Sequence, residues 1–259
     1  MAGSIALTSD STERLFGVRL GSHPRPGEWT LRVRPLEPWT EHERARWAEL
    51  IQDGFIHLAA VGGLCGEQGS PLAPGFSGDV ELWEVDDWLE WRFGVLAIDS
   101  KSASLLLNLC EWGTFNIAPA SQVEVQAEGL TLAEEPAGRP LPQRAPRLSF
   151  AVDERDQRDL YSSIQVEFFH TLSGAQINQI LHILKPWYSA LLRWGFAFPV
   201  LAPGLSVVRP DDPPIVIADD LWCWNFETFT ARYEAFDVFL NCLERIHNTL
   251  CRVKAVTID

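Results

Sequence analysis

The sequence predicts an α+β protein built from two tandem βαββαβ units, and three observations predict it. The chain nearly repeats itself at one constant offset, each copy runs through strand-like and helix-like patterns in one order, and a Pro- and Gly-rich stretch separates the copies.

The repeat is clearest where "DDWLEWRF" (Asp86 to Phe93) falls on "DDLWCWNF" (Asp219 to Phe226) and "LLNLCE" (Leu106 to Glu111) falls on "FLNCLE" (Phe239 to Glu244). Seven identities lie between Asp86 and Glu111 at this offset, where ordinary composition gives about two. Thr40 with Glu43 meets Ser173 with Gln176 at the same offset. Both pairs have the form of a capping box, in which a hydroxyl accepts from an orphan helix N–H and the residue three further on reciprocates. "LAPGFS" from Leu72 and "LAPGLS" from Leu201 stand slightly closer together than the offset requires, so four residues are inserted afterwards, within "RPDDPP" (Arg209 to Pro214).

In the first copy, "WTLRVRPL" alternates as a strand does, and Ala45, Trp47, Ala48, Leu50 and Ile51 can line a helix that starts at the Thr40 cap and ends near Gly54. A Gly/Pro-rich loop reaches Gly78. Strands "DVELWEV" and "WLEWRFGVLAI" follow, then a helix from about Ser102 with Leu105, Leu106, Leu109 and Trp112 at helical spacing, then "QVEV" as a last strand. In the second copy Ile177, Ile180, Leu181 and Leu184 are spaced for one helix, and Phe236, Phe239, Leu240, Leu243, Ile246 and Leu250 for another. The order βαββαβ is that of the ferredoxin-like split βαβ arrangement, a four-stranded antiparallel sheet with two helices on one face. The boundaries follow: residues 1–28 as an N-terminal extension with a strand at "RLFGVRL", 29–126 as the first repeat, 127–161 as the linker, and 162–259 as the second repeat.

Charge narrows the function. Asp and Glu number 35 against 21 Lys and Arg, a formal net charge of -14. Long-range repulsion therefore disfavours nucleic acid and anionic membrane as partners and favours a basic protein. The N-terminus has no positive region followed by an export-length apolar run, and no stretch reaches the roughly 18 apolar residues of a membrane span, so a cytoplasmic location is expected. Five cysteines (Cys65, Cys110, Cys223, Cys242, Cys251) without CxxC pairing predict reduced, mostly buried thiols.

Candidate chemistry is sparse. Asp86/Asp87 and Asp219/Asp220 supply paired carboxylates, but each pair opens a strand after a turn, where Asp commonly satisfies local donors. On the strands that follow, Leu89, Trp91 and Phe93 share one face, as do Trp222, Trp224 and Phe226, and read as core. The glycines of "VGGLCGEQGS" (Val61 to Ser70) lack the GKS/T ending of a phosphate cradle. Cys65 with His57 is conceivable as a thiol and base, but no third residue orients them. The six histidines form neither HExxH nor HxH, and "GFSGD" (Gly75 to Asp79) has the wrong spacing for a nucleophile elbow. No catalytic residue, metal or cofactor is expected.

Eleven tryptophans remain. Trp83 and Trp88 can point away from the Trp91 face, and Trp29, Trp39, Trp187 and Trp194 are further candidates for exposure. Aromatic anchors with steering carboxylates make a binding surface for a basic protein. The candidate contacts are Trp88 and Glu90 on the outward strand face and Asp211 and Asp212 in the inserted turn.

In its Trp-rich strands "VELWEVDDWLEW" and "DDLWCWNF" and its acidic balance, the chain resembles bacterial immunity proteins, in particular the TsiT-type immunity proteins of type VI secretion systems. That resemblance implies a non-catalytic inhibitor that neutralises a cognate basic toxin, a nuclease, with carboxylates occupying the toxin's cleft. Two other readings stand beside it. One is a small-molecule enzyme or sensor using a cleft between the repeats, which would bring Cys65 and His57 together; the other is a structural or regulatory subunit pairing through sheet edges.

Overall fold

The computed structural model describes residues 14–21, 28–64, 81–94, 100–127, 140–155, 161–196, 215–218, 220–227, 231 and 233–259. Its first sheet holds β1 (Gly17–Gly21), β2 (Glu28–Pro35), β3 (Glu81–Val85), β4 (Trp88–Gly94) and β5 (Ala120–Ala127), in the order β1-β5-β2-β4-β3. The second holds β6 (Ala151–Glu154), β7 (Tyr161–Phe168), β8 (Ile215–Ala218), β9 (Leu221–Glu227) and β10 (Val253–Ile258), in the order β6-β10-β7-β9-β8. Neighbours run antiparallel except at one end of each sheet, where β1 lies parallel to β5 and β6 parallel to β10. The molecule is thus α+β with two mixed sheets. The segments 1–28 and 127–161, which the sequence reading left outside both repeats, each contribute one of these parallel end strands.

Period-two alternation decides which face of each sheet is buried. Leu31 and Val33 of β2, Leu89 and Trp91 of β4, and Val123 and Val125 of β5 all enter the core. In the second sheet the same side is filled by Ile164, Val166, Phe168, Trp222, Trp224, Val256 and Ile258.

Helix α1 (Glu41–Ile51) starts at Thr40, whose hydroxyl accepts from the Glu43 amide while the Glu43 carboxylate accepts from the Thr40 amide at 2.7 Å. Helix α1 does not stop at Gly54, as the glycine suggested. A π-helical stretch (Gln52–Ile56) carries the coil on into α2 (His57–Ala60). Gly54 serves packing instead, since a β-carbon there would stand 3.1 Å from Leu109 of the next long helix, α3 (Ser100–Asn116). The buried side of α1 is also narrower than expected: Trp47, Leu50 and Ile51 are buried, whereas Ala45 is exposed.

In the second half, α4 (Gly174–Leu192) opens on the Ser173/Gln176 capping box, and α5 (Glu234–Thr249) follows β9. Helices of the two halves pack together, with α4 against both the π-helical stretch and α5. One continuous apolar core therefore runs through both sheets and all the helices. Residues 102–110 of α3 are buried on every side, because this helix touches its own sheet, α1 and the second half. Among the described residues no helix is long and apolar enough to cross a membrane.

Two asparagines tie the halves together reciprocally. Asn108 of α3 donates to the Gly195 carbonyl just beyond α4 at 2.9 Å, and Asn241 of α5 donates to the Gly63 carbonyl just beyond α2 at 3.0 Å. The offset that sets Asp86 on Asp219 also sets Asn108 on Asn241.

Candidate partner-binding face

The side of the first sheet turned away from the helices is built by the other half of the alternation. Arg32 and Arg34 of β2, Trp88, Glu90 and Arg92 of β4, Trp83 of β3 and Glu124 of β5 share it, because each lies opposite another of the set in the strand register or two residues along the same strand. The sequence placed Trp88 and Glu90 on an outward strand face, and both lie on this one. Glu90 is only 7% exposed, because the guanidinium of Arg32 stands 3.1 Å from one carboxylate oxygen and Arg92 pairs with the other. Arg32 also reaches Glu124 at 3.4 Å.

The arginines stack as well as pair. The Arg32 guanidinium lies 4.8 Å and that of Arg34 5.9 Å from the centroid of the half-buried Trp88 ring, and Arg92 lies 5.2 Å from that of Trp83. Arg34 is also anchored by Asp87, at 2.6 Å. Ion pairing and cation–π contact on one planar group fix the rings and guanidinia in place, so little side-chain freedom is left to lose on binding. Trp83 remains 46% exposed.

The same side of the second sheet carries neither Trp nor Arg at the matching positions, although Glu167 there pairs with Lys254. At the offset of the repeat, Arg32, Arg34, Trp88, Glu90, Arg92 and Glu124 are answered by Gln165, Glu167, Leu221, Cys223, Asn225 and Thr257, which occupy the corresponding register positions.

Beside the first sheet, where the β3–β4 turn faces the residues leading into α1, a cleft of about 610 Å³ opens next to Trp88. Asp86 in that turn has φ 56°, the left-handed region that Asp enters more readily than most residues. Arg44 pairs with Glu84 on one wall and Arg34 with Asp87 on the other.

The remaining sequence candidates fall elsewhere. Asp211, Asp212, Asp219, Cys65, the glycines beyond Leu64 and both LAPG stretches lie outside the described residues. Asp86 and Asp87 form the expected turn, and Leu89, Trp91, Trp222 and Trp224 behind the two aspartate pairs are core. Trp29, Trp39 and Trp187 are buried rather than exposed. Trp39 stacks on Trp47 at 4.9 Å and gives its indole N–H to the Pro119 carbonyl, while Trp187 gives its own to the Ala235 carbonyl at 2.7 Å. Such satisfied indole donors let large aromatics enter a core without a polar penalty.

His57 is exposed, with Nδ1 3.2 Å from Asp53. The buried His247 is held between the Val253 carbonyl at 3.1 Å and Arg252 at 3.0 Å. Burial pushes the thiols of Cys110 and Cys242 up to about 12 and that of Cys251 to about 11, which keeps them protonated and poorly nucleophilic at neutral pH. Among the described residues no group of three His, Cys, Asp or Glu is placed to hold a metal ion.

What the sequence reading missed is the arginines. Their signal was present, since "TLRVRP" puts Arg32 and Arg34 on the side opposite Leu31 and Val33. That they meet Trp88 and Glu90 depends on strand register, which the sequence does not print.

No protein-family model matches the chain, and no curated protein does. Among solved structures, the periplasmic protease PqqL from Escherichia coli is similar at 10% identity over 83% of this chain and 34% of that one, with a TM-score of 0.15. A likeness that faint carries no argument, and the chain spans about a third of that protein's length.

Proposed function

We propose that the protein is a non-catalytic binding protein of the immunity type, which neutralises a basic toxin by covering it with the outer face of the first sheet. One observation carries this reading: Trp83, Trp88 and their stacked arginines decorate one sheet, while the matching positions of the other hold small or uncharged side chains and one glutamate. A purely structural need for such a face would apply to both sheets equally. Trp and Arg are the residues that most often dominate interface energy, and rings already held in place lose little entropy on docking. The net charge of -14 supplies the long-range attraction for a basic partner. A nuclease is the toxin class that the immunity resemblance implies.

With this goes a reading of the scaffold: two copies of a ferredoxin-like unit, joined by duplication and each extended by one parallel end strand. It is supported by the order β5-β2-β4-β3 with antiparallel neighbours, by its recurrence as β10-β7-β9-β8, and by the single offset that relates both β2 to β7 and β4 to β9.

The test is co-purification from the native host at low and moderate salt, followed by co-expression of the recovered partner in a naive host. A basic partner that is toxic alone and harmless beside the wild-type chain is the expected result. Trp83→Ala and Trp88→Ala should each weaken the complex by about 2 kcal/mol. A tight partner that both variants hold unchanged would remove this face from the account.

A further inference from the structure

We infer that the cleft beside Trp88 is a receptor for a single basic side chain, lysine or arginine, presented by the partner; the inference rests on the binding reading above and names the chemistry of one contact. The cleft's volume, about 610 Å³, lies in the range of a built ligand site and exceeds what one side chain fills, leaving room for the main chain that carries it. Its walls combine apolar surface from Leu36, Trp39 and Trp88 with four carboxylates, Glu37, Glu84, Asp86 and Asp87. Two of these are already matched by arginines of the same cleft, Glu84 by Arg44 and Asp87 by Arg34. Asp86 and Glu37 are exposed and have no ion-pair partner among the described residues.

The cleft lining therefore combines two exposed carboxylates that have no ion-pair partner among the described residues with apolar surface. A long basic side chain matches both parts, since its methylene stem covers apolar surface while its head stays among polar groups. An acidic or neutral side chain would leave Asp86 and Glu37 unpaired. The matched pairs add geometry, because Arg34 already lines the cleft and is held there by both Trp88 and Asp87. Asp86 holds a left-handed backbone conformation that asparagine can also adopt. Asp86→Asn thus removes the charge and keeps the turn.

The experiment uses the whole chain and a capped Gly-Arg-Gly peptide, with the matching citrulline and glutamate peptides as controls, followed through the indole and amide NMR signals. The arginine peptide should shift the signals of Trp88, Asp86 and Asp87 saturably. The double variant Asp86→Asn/Glu37→Gln should lose about fivefold or more in affinity, as two exposed ion pairs allow, and Asp153→Asn on the second sheet should lose nothing. Equal binding of the citrulline peptide, an equal loss in Asp153→Asn, or no saturable shift would overturn the inference. The binding reading is tested apart from it. A toxin held equally by wild type and the double variant but released by Trp88→Ala sinks the cleft contact and leaves the inhibitor standing. Arginine-peptide binding by a chain that captures no toxin does the reverse.

Discussion

Gly113 leaves its α-carbon bare where α1 crosses α3. A β-carbon there would stand 2.7 Å from Leu50 and 2.9 Å from the Trp47 ring, and Trp47 has no exposure into which it can retreat. Gly113→Ala should therefore destabilise the protein by up to about 2 kcal/mol despite the better helix propensity of alanine, because overpacking at about 1–3 kcal/mol outweighs a gain of about 1 kcal/mol. Urea unfolding reads this directly, and an unchanged midpoint would mean that α1 slides aside freely. Glu244 makes a second prediction at this scale. Burial alone would raise its pKa, but the Ser149 hydroxyl and amide, at 2.6 and 2.8 Å, and Asn248 outweigh that and hold it below the ordinary carboxylate value. A depressed folded-state pKa contributes stability above the unfolded value, which is lost as pH falls through the folded one. Stability should thus drop in acid below about pH 4.5, and Glu244→Gln should flatten that drop. Asp237 acts with opposite sign, since burial raises its pKa even beside Arg144; the comparison must therefore be made between Glu244→Gln and wild type at each pH.

At the scale of elements, the two capping boxes are local devices, and local devices are what a sequence displays best. Thr40→Ala and Ser173→Ala should each cost about 1 kcal/mol, because each strips one orphan amide of its acceptor; a thermal scan showing no loss in either variant would mean that the first turn is held by tertiary packing alone. The strands were legible for a similar reason, as Leu31 and Val33 against Arg32 and Arg34 already carry the period of two. Less legible was α3. Its Leu105, Leu106 and Leu109 looked like one apolar stripe, yet Ser102, Ser104 and Asn108 are buried as well, because the second half closes over the side that a single repeat would leave wet. Gly54 misled for a related reason. A glycine read as a helix stop was a close-approach glycine, and close approach exists only once two distant segments have met. The candidate face divides along the same line: Trp88 and Glu90 could be named from alternation, whereas the stacking of Arg32 and Arg92 needed the register.

Across the whole molecule, the reciprocal asparagines test whether the two halves fold as one. Asn241 is fully buried and satisfied on both sides of its amide, accepting from the Ala145 amide at 2.7 Å and donating to the Gly63 and Gln143 carbonyls at 3.0 Å each. Asn108 donates to Gly195, but its carbonyl oxygen is buried without a partner among the described residues. Replacing each by leucine, similar in size and unable to hydrogen bond, separates the two situations. Asn241→Leu strands one buried donor and takes a donor from each of two acceptors, and should cost roughly 3–5 kcal/mol at 1–3 kcal/mol per strongly affected group. Asn108→Leu takes a donor from one carbonyl while also deleting an oxygen that is already unpaired, and should cost no more than about 1 kcal/mol. Because one apolar core spans both sheets, the loss in Asn241→Leu should appear as a single cooperative transition shifted in midpoint, with near- and far-ultraviolet signals coincident. Two separated transitions would show instead that each half is stable alone and that the asparagines merely dock two finished domains.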